Sequence, residues 1–555
     1  MGWVSTSHTE GEAQGCPLSF TDAVTSTSKG SSPARAGLVL FVLILVAAVA
    51  NLNLAVANVA LPEIGRDFDA SQTQLNLVAV AYSLGLAASV LYLGAVGDRY
   101  GRKLLLVLGM TLSIPACLVA AFAPNVEVLF GARLLGGLSA GLAYPTTLAL
   151  ITALWSGPPR TKAIALWSAL GGALSALGPL MSGALLEKFH WGSVFIVTLP
   201  LALLALVLAV VLVPAHVNET TDAVDHLGGM VSVVFIAALV LGINFAPVQG
   251  MGTLAIGLGA IAVAAGTVFV IRQRRVESPL YDLNVARRRT FWVAAVAGII
   301  VFGSLMGVIF VGQQFLQNVL GYSTLAAGAS TLPAALAMVV VAPQSAKLVE
   351  SRGSRFTLLL GYSFIVVGLV LAWLTWTEGV AYWVVALSYI FLGVGVGFAG
   401  TPASRSLTGS VPVDRAGMAS GTADLQRDLG GAIMQSTLGA LLTAGYSASL
   451  TAQIASSPDA ADISEETQSV LTKSFSSAAD LAERYPQYSD QIVSAAKQAF
   501  EDGDQKSYVA AILVVLVGAV LVFFAFPKHE REKSLLAHYH SRDAQRAEAA
   551  GGRSG

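Results

Sequence analysis

Asp424, Arg427 and Asp428 stand three and four residues apart in the segment GTADLQRDLGGAI, so a helix carries all three on one face. Two close carboxylates in a poorly hydrated place oppose each other's ionisation, while a guanidinium beside them favours it, which makes the group a candidate proton acceptor. The competing reading is a water-exposed salt bridge at a helix end. A second charged group is GAVGDRYGRK, Gly94 to Lys103, where Asp98, Arg99, Arg102 and Lys103 crowd between two apolar runs, spaced by Gly94, Gly97 and Gly101. Asp98 is placed to accept hydrogen bonds at a helix terminus, and the three cations can pair with acidic groups or lipid phosphate. Such a group latches one conformation, unless it only fixes topology by positive charge. Arg133 stands alone in an apolar run, where an ionised group is costly and turns toward a bundle interior or cavity. A functional role is one reading of it; an anchor on backbone carbonyls is the other.

These residues need long apolar elements around them, and the chain supplies them. Of its 555 residues 55% are hydrophobic and 12% charged, and the mean hydropathy is +0.70, which marks an all-α integral membrane protein. About 20 apolar residues span the hydrocarbon layer. Fourteen such runs can be placed, near 37–60, 74–96, 104–123, 127–152, 164–187, 193–213, 228–247, 253–272, 291–316, 325–346, 356–376, 381–404, 417–445 and 507–527. If the thirteenth starts near Gly417, its charged triplet sits roughly 10 to 16 Å into the membrane. With the N-terminus inside, 24 of the 32 Lys and Arg residues fall on the cytoplasmic side, so both termini are expected there.

AKLVESRGSR (Ala346 to Arg355) echoes the first charged group, with Glu350 at the place of Asp98, Gly353 at that of Gly101 and Arg355 at that of Lys103. Parallel halves of this kind organise large transporters, with the substrate site between them near the midplane. The expected organisation is a disordered cytoplasmic tail (1–36), a six-helix bundle (37–213), two inserted helices (214–272), a basic linker (273–290), a second six-helix bundle (291–527) and a cytoplasmic tail (528–555). Within the second bundle, 447–506 forms a long outer loop. Helix-like apolar spacing at Val470, Leu471, Phe475, Ala479 and Leu481, then Ile492, Ala495, Ala496 and Phe500, predicts helices capping the outer mouth. That loop is either a tolerated insertion or a docking site for an envelope partner.

Cys16 and Cys117 are the only cysteines, and the histidines form no metal-binding cluster, so neither a disulfide framework nor a metal site is expected. No GxxxxGK[ST] loop is present, which argues against direct drive by ATP. No cofactor and no nucleic-acid partner are expected, and enzyme chemistry is not.

On these motifs the chain resembles the major facilitator superfamily, in particular the fourteen-span drug:proton antiporters of the EmrB/QacA-like type, over about Leu38 to Pro527. GAVGDRYGRK fits the loop pattern GxLaDRxGRK at every charged position. Arg133 with Gly137 fits the fourth-span Arg motif, and ALGPLMSG, with Gly178-Pro179, fits the fifth-span antiporter motif except that Ser182 replaces a Gly. The resemblance implies that Arg133 couples proton movement to the binding site. Gly178-Pro179 also favours a bent, tightly packed span that can rock against a neighbour. One departure stands out. Where similar first spans carry an acid, LNLAVANVALP has Asn53, which cannot titrate. Asn58 is kept, and Asn51 shares its helix face, as a polar cavity stripe or as glue between helices. Similar transporters have Arg427 but uncharged residues at Asp424 and Asp428.

Candidate cavity residues are Asn51, Asn53, Asn58, Tyr82, Tyr144, Gln313, Gln314 and Gln317. The leading expectation is a proton-driven exporter of hydrophobic or amphiphilic drugs in a bacterial inner membrane, with protons, lipids and the cargo as its partners. The alternatives are export of a lipid or secondary metabolite across the envelope, and a transporter-like sensor or scaffold. We predict that reporter tags on the two chain ends will both be protected from a protease added outside intact cells; opposite accessibility would refute the arrangement.

Overall fold

The computed structural model describes residues 35–155, 177–215, 223–246, 250–411, 416–457 and 463–551, with a few isolated positions elsewhere. The described residues are nearly all helical, without strands. Twelve helices among them are long and apolar enough to cross a membrane. Of the other two expected spans, the fifth lies largely outside the described residues, leaving the apolar helix α6 (Leu177–Leu186). The thirteenth, α17 (Ala416–Ser456), has ample length at 41 residues, but the charged triplet and its many small polar residues leave it less apolar than the twelve. The expected N-terminal tail also falls almost wholly outside the described residues.

The first bundle is built from α1 (Ala36–Ala55), α2 (Ala57–Asp67), α3 (Gln72–Tyr100), α4 (Arg102–Ala121), α5 (Val126–Leu154), α6, α7 (Ser193–Ile196) and α8 (Leu199–Leu212). The first expected span is therefore two helices, α1 and α2, broken at Val56. Local chemistry sets the ends. Ser71 and Gln74 form a capping box on α3, and the Asn125 side chain caps α5. The inserted pair is α9 (His226–Phe245) and α10 (Gly252–Gln273), followed by α11 (Leu283–Ala286) in the basic linker. Asp225 caps α9 and pairs with Arg272 at 2.6 Å, which locks the hairpin. Helix α10 is almost wholly exposed, as a lipid-facing helix must be, whereas α9 lies across the joint between α3 and α17.

The second bundle contains α12 (Arg289–Asn318), α13 (Thr324–Ala329), α14 (Leu332–Arg352), α15 (Ser354–Thr375), α16 (Tyr382–Gly409), α17 and α20 (Ser489–Ala525). Between the last two stand the cap helices α18 (Glu465–Lys473) and α19 (Phe475–Arg484), and α21 (His529–Gly551) closes the chain. The expected spans at 417–445 and 507–527 are shorter than the helices that contain them: α17 and α20 continue beyond the apolar stretch into the cap. The sequence echo has a backbone counterpart. Gly101 (φ 110°) and Gly353 (φ 86°) each end one helix and begin the next with a positive φ that a side chain would oppose.

The two ends of the molecule differ. At the end carrying the cap, apolar residues of both bundles merge into one core, from Val56 to Ala79 and Trp191 to Phe195 on one side and Phe291 to Phe526 on the other. Toward the end carrying the Asp98 motif, the first bundle keeps a core of its own, around Leu43, Tyr82, Met110 and Ile151. The cap is seated on the second bundle, where the Tyr446 hydroxyl donates to the Leu471 carbonyl at 3.0 Å and Phe475 meets Phe500 edge-on. It grips the first bundle through Asp69, which accepts from Lys473 at 2.6 Å and from the Ser477 hydroxyl at 3.0 Å.

Lys473 is also what holds the Asp69 carboxyl below the usual carboxylate range, with a smaller contribution from Ser477. A lowered value means that the contact is fully made above the ordinary carboxyl range and lost as pH falls through the lowered one. We therefore predict that Lys473→Ala, in a chain with Cys16 and Cys117 replaced by Ser, raises several-fold the reaction of Gln72→Cys with a membrane-impermeant maleimide. An unchanged rate would mean that the cap does not hold this end shut.

Candidate functional site

The α17 triplet lies at the contact between the bundles. One guanidinium edge of Arg427 donates to Asn51 Oδ1 of α1 at 2.9 Å and to the Tyr144 hydroxyl of α5 at 3.1 Å, and the group also lies over the Tyr144 ring, 5.0 Å from its centroid. Its Nε faces Asp428 Oδ1 at 3.4 Å. Asp428 is 2% exposed, and its Oδ2 has no partner among the described residues. Asp424, one turn earlier, is partly exposed, so a polar step leads from it to the buried acid. Helix geometry makes this possible, because positions 424, 427 and 428 share one face.

Arg133 is 2% exposed and has a different setting. It donates to the backbone carbonyls of Asn53 and Leu54, and its guanidinium lies 5.0 Å from the Tyr82 ring centroid and 5.8 Å from that of Phe195. No carboxylate pairs with it among the described residues. The carbonyls it uses are those just before the break at Val56, whose helical partners are lost there.

Of the eight cavity candidates, Asn51 and Tyr144 come together at Arg427. Asn53 turns into the first bundle, where its Oδ1 accepts from Thr198 at 2.9 Å. Tyr82 donates to the Ala50 carbonyl at 3.0 Å. Asn58 is buried with an unpartnered Oδ1. Two of the three glutamines fall in the seam at the cap end: Gln314 accepts from Gln72 at 2.7 Å and Gln317 donates to the Val59 carbonyl at 3.1 Å, whereas Gln313 donates to the Ala327 carbonyl at 2.8 Å inside the second bundle. Asn76 donates to Thr443 at 3.0 Å in the same seam. Gln72, Asn76 and Thr443 are not among the sequence candidates, although the four-residue spacing of Gln72 and Asn76, which puts both amides on one helix face at the start of a span, is the signal that would have marked them.

Gly178-Pro179 belongs to this seam as well. A Cβ on Gly178 would meet that of Ala55 at 2.7 Å, and the Pro179 carbonyl packs directly against Gly328 of the second bundle. At the opposite end, Asp98 pairs with Arg102 at 2.8 Å, Arg102 donates to the Ala149 carbonyl at 3.2 Å, and Lys103 donates to that of Val210 at 2.8 Å. The motif thus ties α3, α4, α5 and α8 together. Arg99 is exposed, Gly94 opens onto free space and Gly97 is buried against Leu105.

The sequence profile of the family described as Major Facilitator Superfamily matches residues 43–434. The chain is 32% identical over 497 residues to the multidrug efflux pump LfrA of Mycolicibacterium smegmatis, covering 89% of this chain and 97% of that one. It is 29% identical over 506 residues to the methyl viologen resistance protein SmvA of Salmonella typhimurium, covering 90% and 99%. Among solved structures, a bacterial homologue of the human lysosomal transporter Spinster is similar with a TM-score of 0.59 at 16% identity, over 88% of this chain and 96% of that one. The E. coli xylose transporter XylE is similar with a TM-score of 0.54 at 14% identity, over 89% and 98%.

Breaking a buried ion pair from one side leaves the other charge uncompensated, at a cost of about 3–5 kcal/mol. We predict that Arg427→Ala lowers the melting temperature of the detergent-solubilised protein markedly, and that adding Asp428→Asn recovers most of the loss. A single variant as stable as the parent would show that Asp428 does not depend on Arg427.

Proposed function

The chain belongs to the major facilitator superfamily, a multi-pass membrane transporter and not an enzyme, and we propose that it exports hydrophobic or amphiphilic small molecules in exchange for protons. The observation that carries this reading is the Arg427 junction. One cation on α17 holds two helices of the opposite bundle while sharing its charge with a buried carboxylate. A link between bundles that also includes an acid is a link that protonation can alter.

The cap end is the outer one and the basic end the cytoplasmic one, in keeping with the distribution of Lys and Arg. The structure then corresponds to the state sealed outside, in which the outer halves share one core. With Asp428 ionised, Arg427 is held on α17 and reaches Asn51 and Tyr144 across the groove. A proton taken up through the partly exposed Asp424 neutralises Asp428 and frees Arg427 to rearrange, which changes the relative energy of the inward- and outward-facing states. Asn53 cannot take that role, so the titrating groups are those of α17. The Asp98–Arg102 pair and Lys103 brace the cytoplasmic ends of four helices, and Gly178-Pro179 lets α1, α6 and α13 approach closely enough to seal the outside. Multidrug efflux by the similar LfrA supports the cargo class.

Purified protein in proteoliposomes with an imposed pH gradient tests the reading, with a hydrophobic cationic dye, a neutral drug and a fluorescent lipid measured in parallel. Gradient-dependent dye or drug flux is expected in the parent. Asp424→Asn and Asp428→Asn should each abolish the pH-driven component, by at least tenfold, while leaving the amount of protein in the membrane unchanged. Coupling that survives both substitutions would remove α17 from the proton pathway, and lipid movement indifferent to the gradient would replace drug export with lipid transport.

A further inference from the structure

A buried acid on the last membrane-spanning helix stands apart from everything described so far. Asp504 of α20 is 1% exposed, and neither of its carboxyl oxygens has a hydrogen-bond partner among the described residues. The hydroxyls of Tyr508, four residues on, and of Tyr389 on α16 are buried and unpartnered too. The three share one wall: Trp376 meets both tyrosine rings edge-on, with centroids 5.4 and 5.6 Å away, and Asp504 lies within electrostatic reach of both phenols. Gly312 of α12 leaves the room for this, since a Cβ there would come within 2.5 Å of the Tyr389 hydroxyl.

Among the described residues no positive charge compensates Asp504. From α17 its neighbourhood receives Leu442 and Gly445, packed on Gly503, and just beyond α15 the indole of Trp376. Tyr382 adds a further phenol on the α16 side. On its own helix, Glu501 is the nearest ionisable group in the outward direction. Glu501 is partly exposed and accepts the backbone N–H of Glu378, while Lys497 is committed to the Glu378 carboxylate at 2.6 Å. Lys506 lines a different groove of α20, with Asp502 and Trp373. A carboxylate shut away without a partner is far more costly than a neutral acid in the same place.

We propose that Asp504, with the Tyr389 and Tyr508 hydroxyls, forms a second proton-binding site inside the second bundle, exchanging its proton through Glu501 at the cap end. Glu501, Asp504 and Tyr508 lie at i, i+3 and i+7, a ladder along one face that descends about 10 Å from the surface. At its foot Gly312 adjoins Gln313 and Gln314, the second of which holds the seam to Gln72. The site therefore connects the cap surface to the helix that seals the two bundles. It rests on neither drug export nor the α17 cluster.

Infrared spectroscopy of the full chain in lipid, comparing the parent with Asp504→Asn, tests this without any transport assay. The parent is expected to show a carboxylic-acid carbonyl stretch that shifts in D2O and that Asp504→Asn loses, with the melting temperature unchanged because an amide replaces a neutral acid of the same shape. Loss of a carboxylate band instead, or identical acid regions in the two spectra, would overturn the proposal. If Asp504→Asn does not accumulate, the pair Tyr389→Phe and Tyr508→Phe, which removes both neighbouring hydroxyls, should move the same band to higher frequency; an unmoved band would overturn it equally.

Discussion

One guanidinium joins the two bundles away from the end where their cores merge. Arg427 reaches α1 and α5 of the first bundle from α17 of the second, and its nearest acid, Asp428, is buried beside it. The pair is costly to bury and costly to break from one side, so the helices around it must offer donors and acceptors wherever the bundles settle. A fork with several N–H groups suits that demand better than a point charge, because it can serve an amide, a phenol and a carboxylate together. Away from this junction the bundles have different means of contact at each end. The cap end uses amide-to-amide and amide-to-carbonyl bonds in an apolar core, and the opposite end relies on the charged motif to hold the first bundle together internally.

Two arginines well within membrane-spanning helices, Arg133 and Arg427, show how the same residue type takes different roles from its surroundings. Arg133 has only carbonyls and aromatic faces around it, so it fixes the bend between α1 and α2 and leaves no acid for proton exchange. That setting explains how a first span with Asn53 in place of an acid remains well packed: Asn53 lends its carbonyl to Arg133 and its side chain to Thr198. The acids proposed to titrate belong to the second bundle. Asp424, Asp428 and Asp504 all stand there.

Much of this was legible from residues alone. The apolar runs marked the spans, and the echo that sets Gly353 at the place of Gly101 paired two glycines whose φ is positive at equivalent helix junctions. The spacing of Leu471, Phe475 and Phe500 announced cap helices that do bury those side chains. Other features were hidden for physical reasons. Hydropathy falls where a helix leaves the membrane rather than where it ends, so the continuation of α17 and α20 into the cap could not be seen. Periodicity gives the face of a helix but not its neighbour, which is why Gln314 and Gln317 read as cavity residues and lie in the seam, and Gln313 turns into its own bundle. Asp504 falls just before the run that marked the last span, among acids that look solvent-exposed.

The continuity of α20 has a mechanical consequence. Its 37 residues form a rod about 55 Å long, half of it embedded and half standing in the cap. A stiff rod cannot bend at the membrane surface to absorb motion, so a tilt of about ten degrees about one tip displaces the other by roughly 10 Å. Any tilt of α20 is thereby converted into travel of the cap. Whatever touches the cap is geared to the position of helices it never meets.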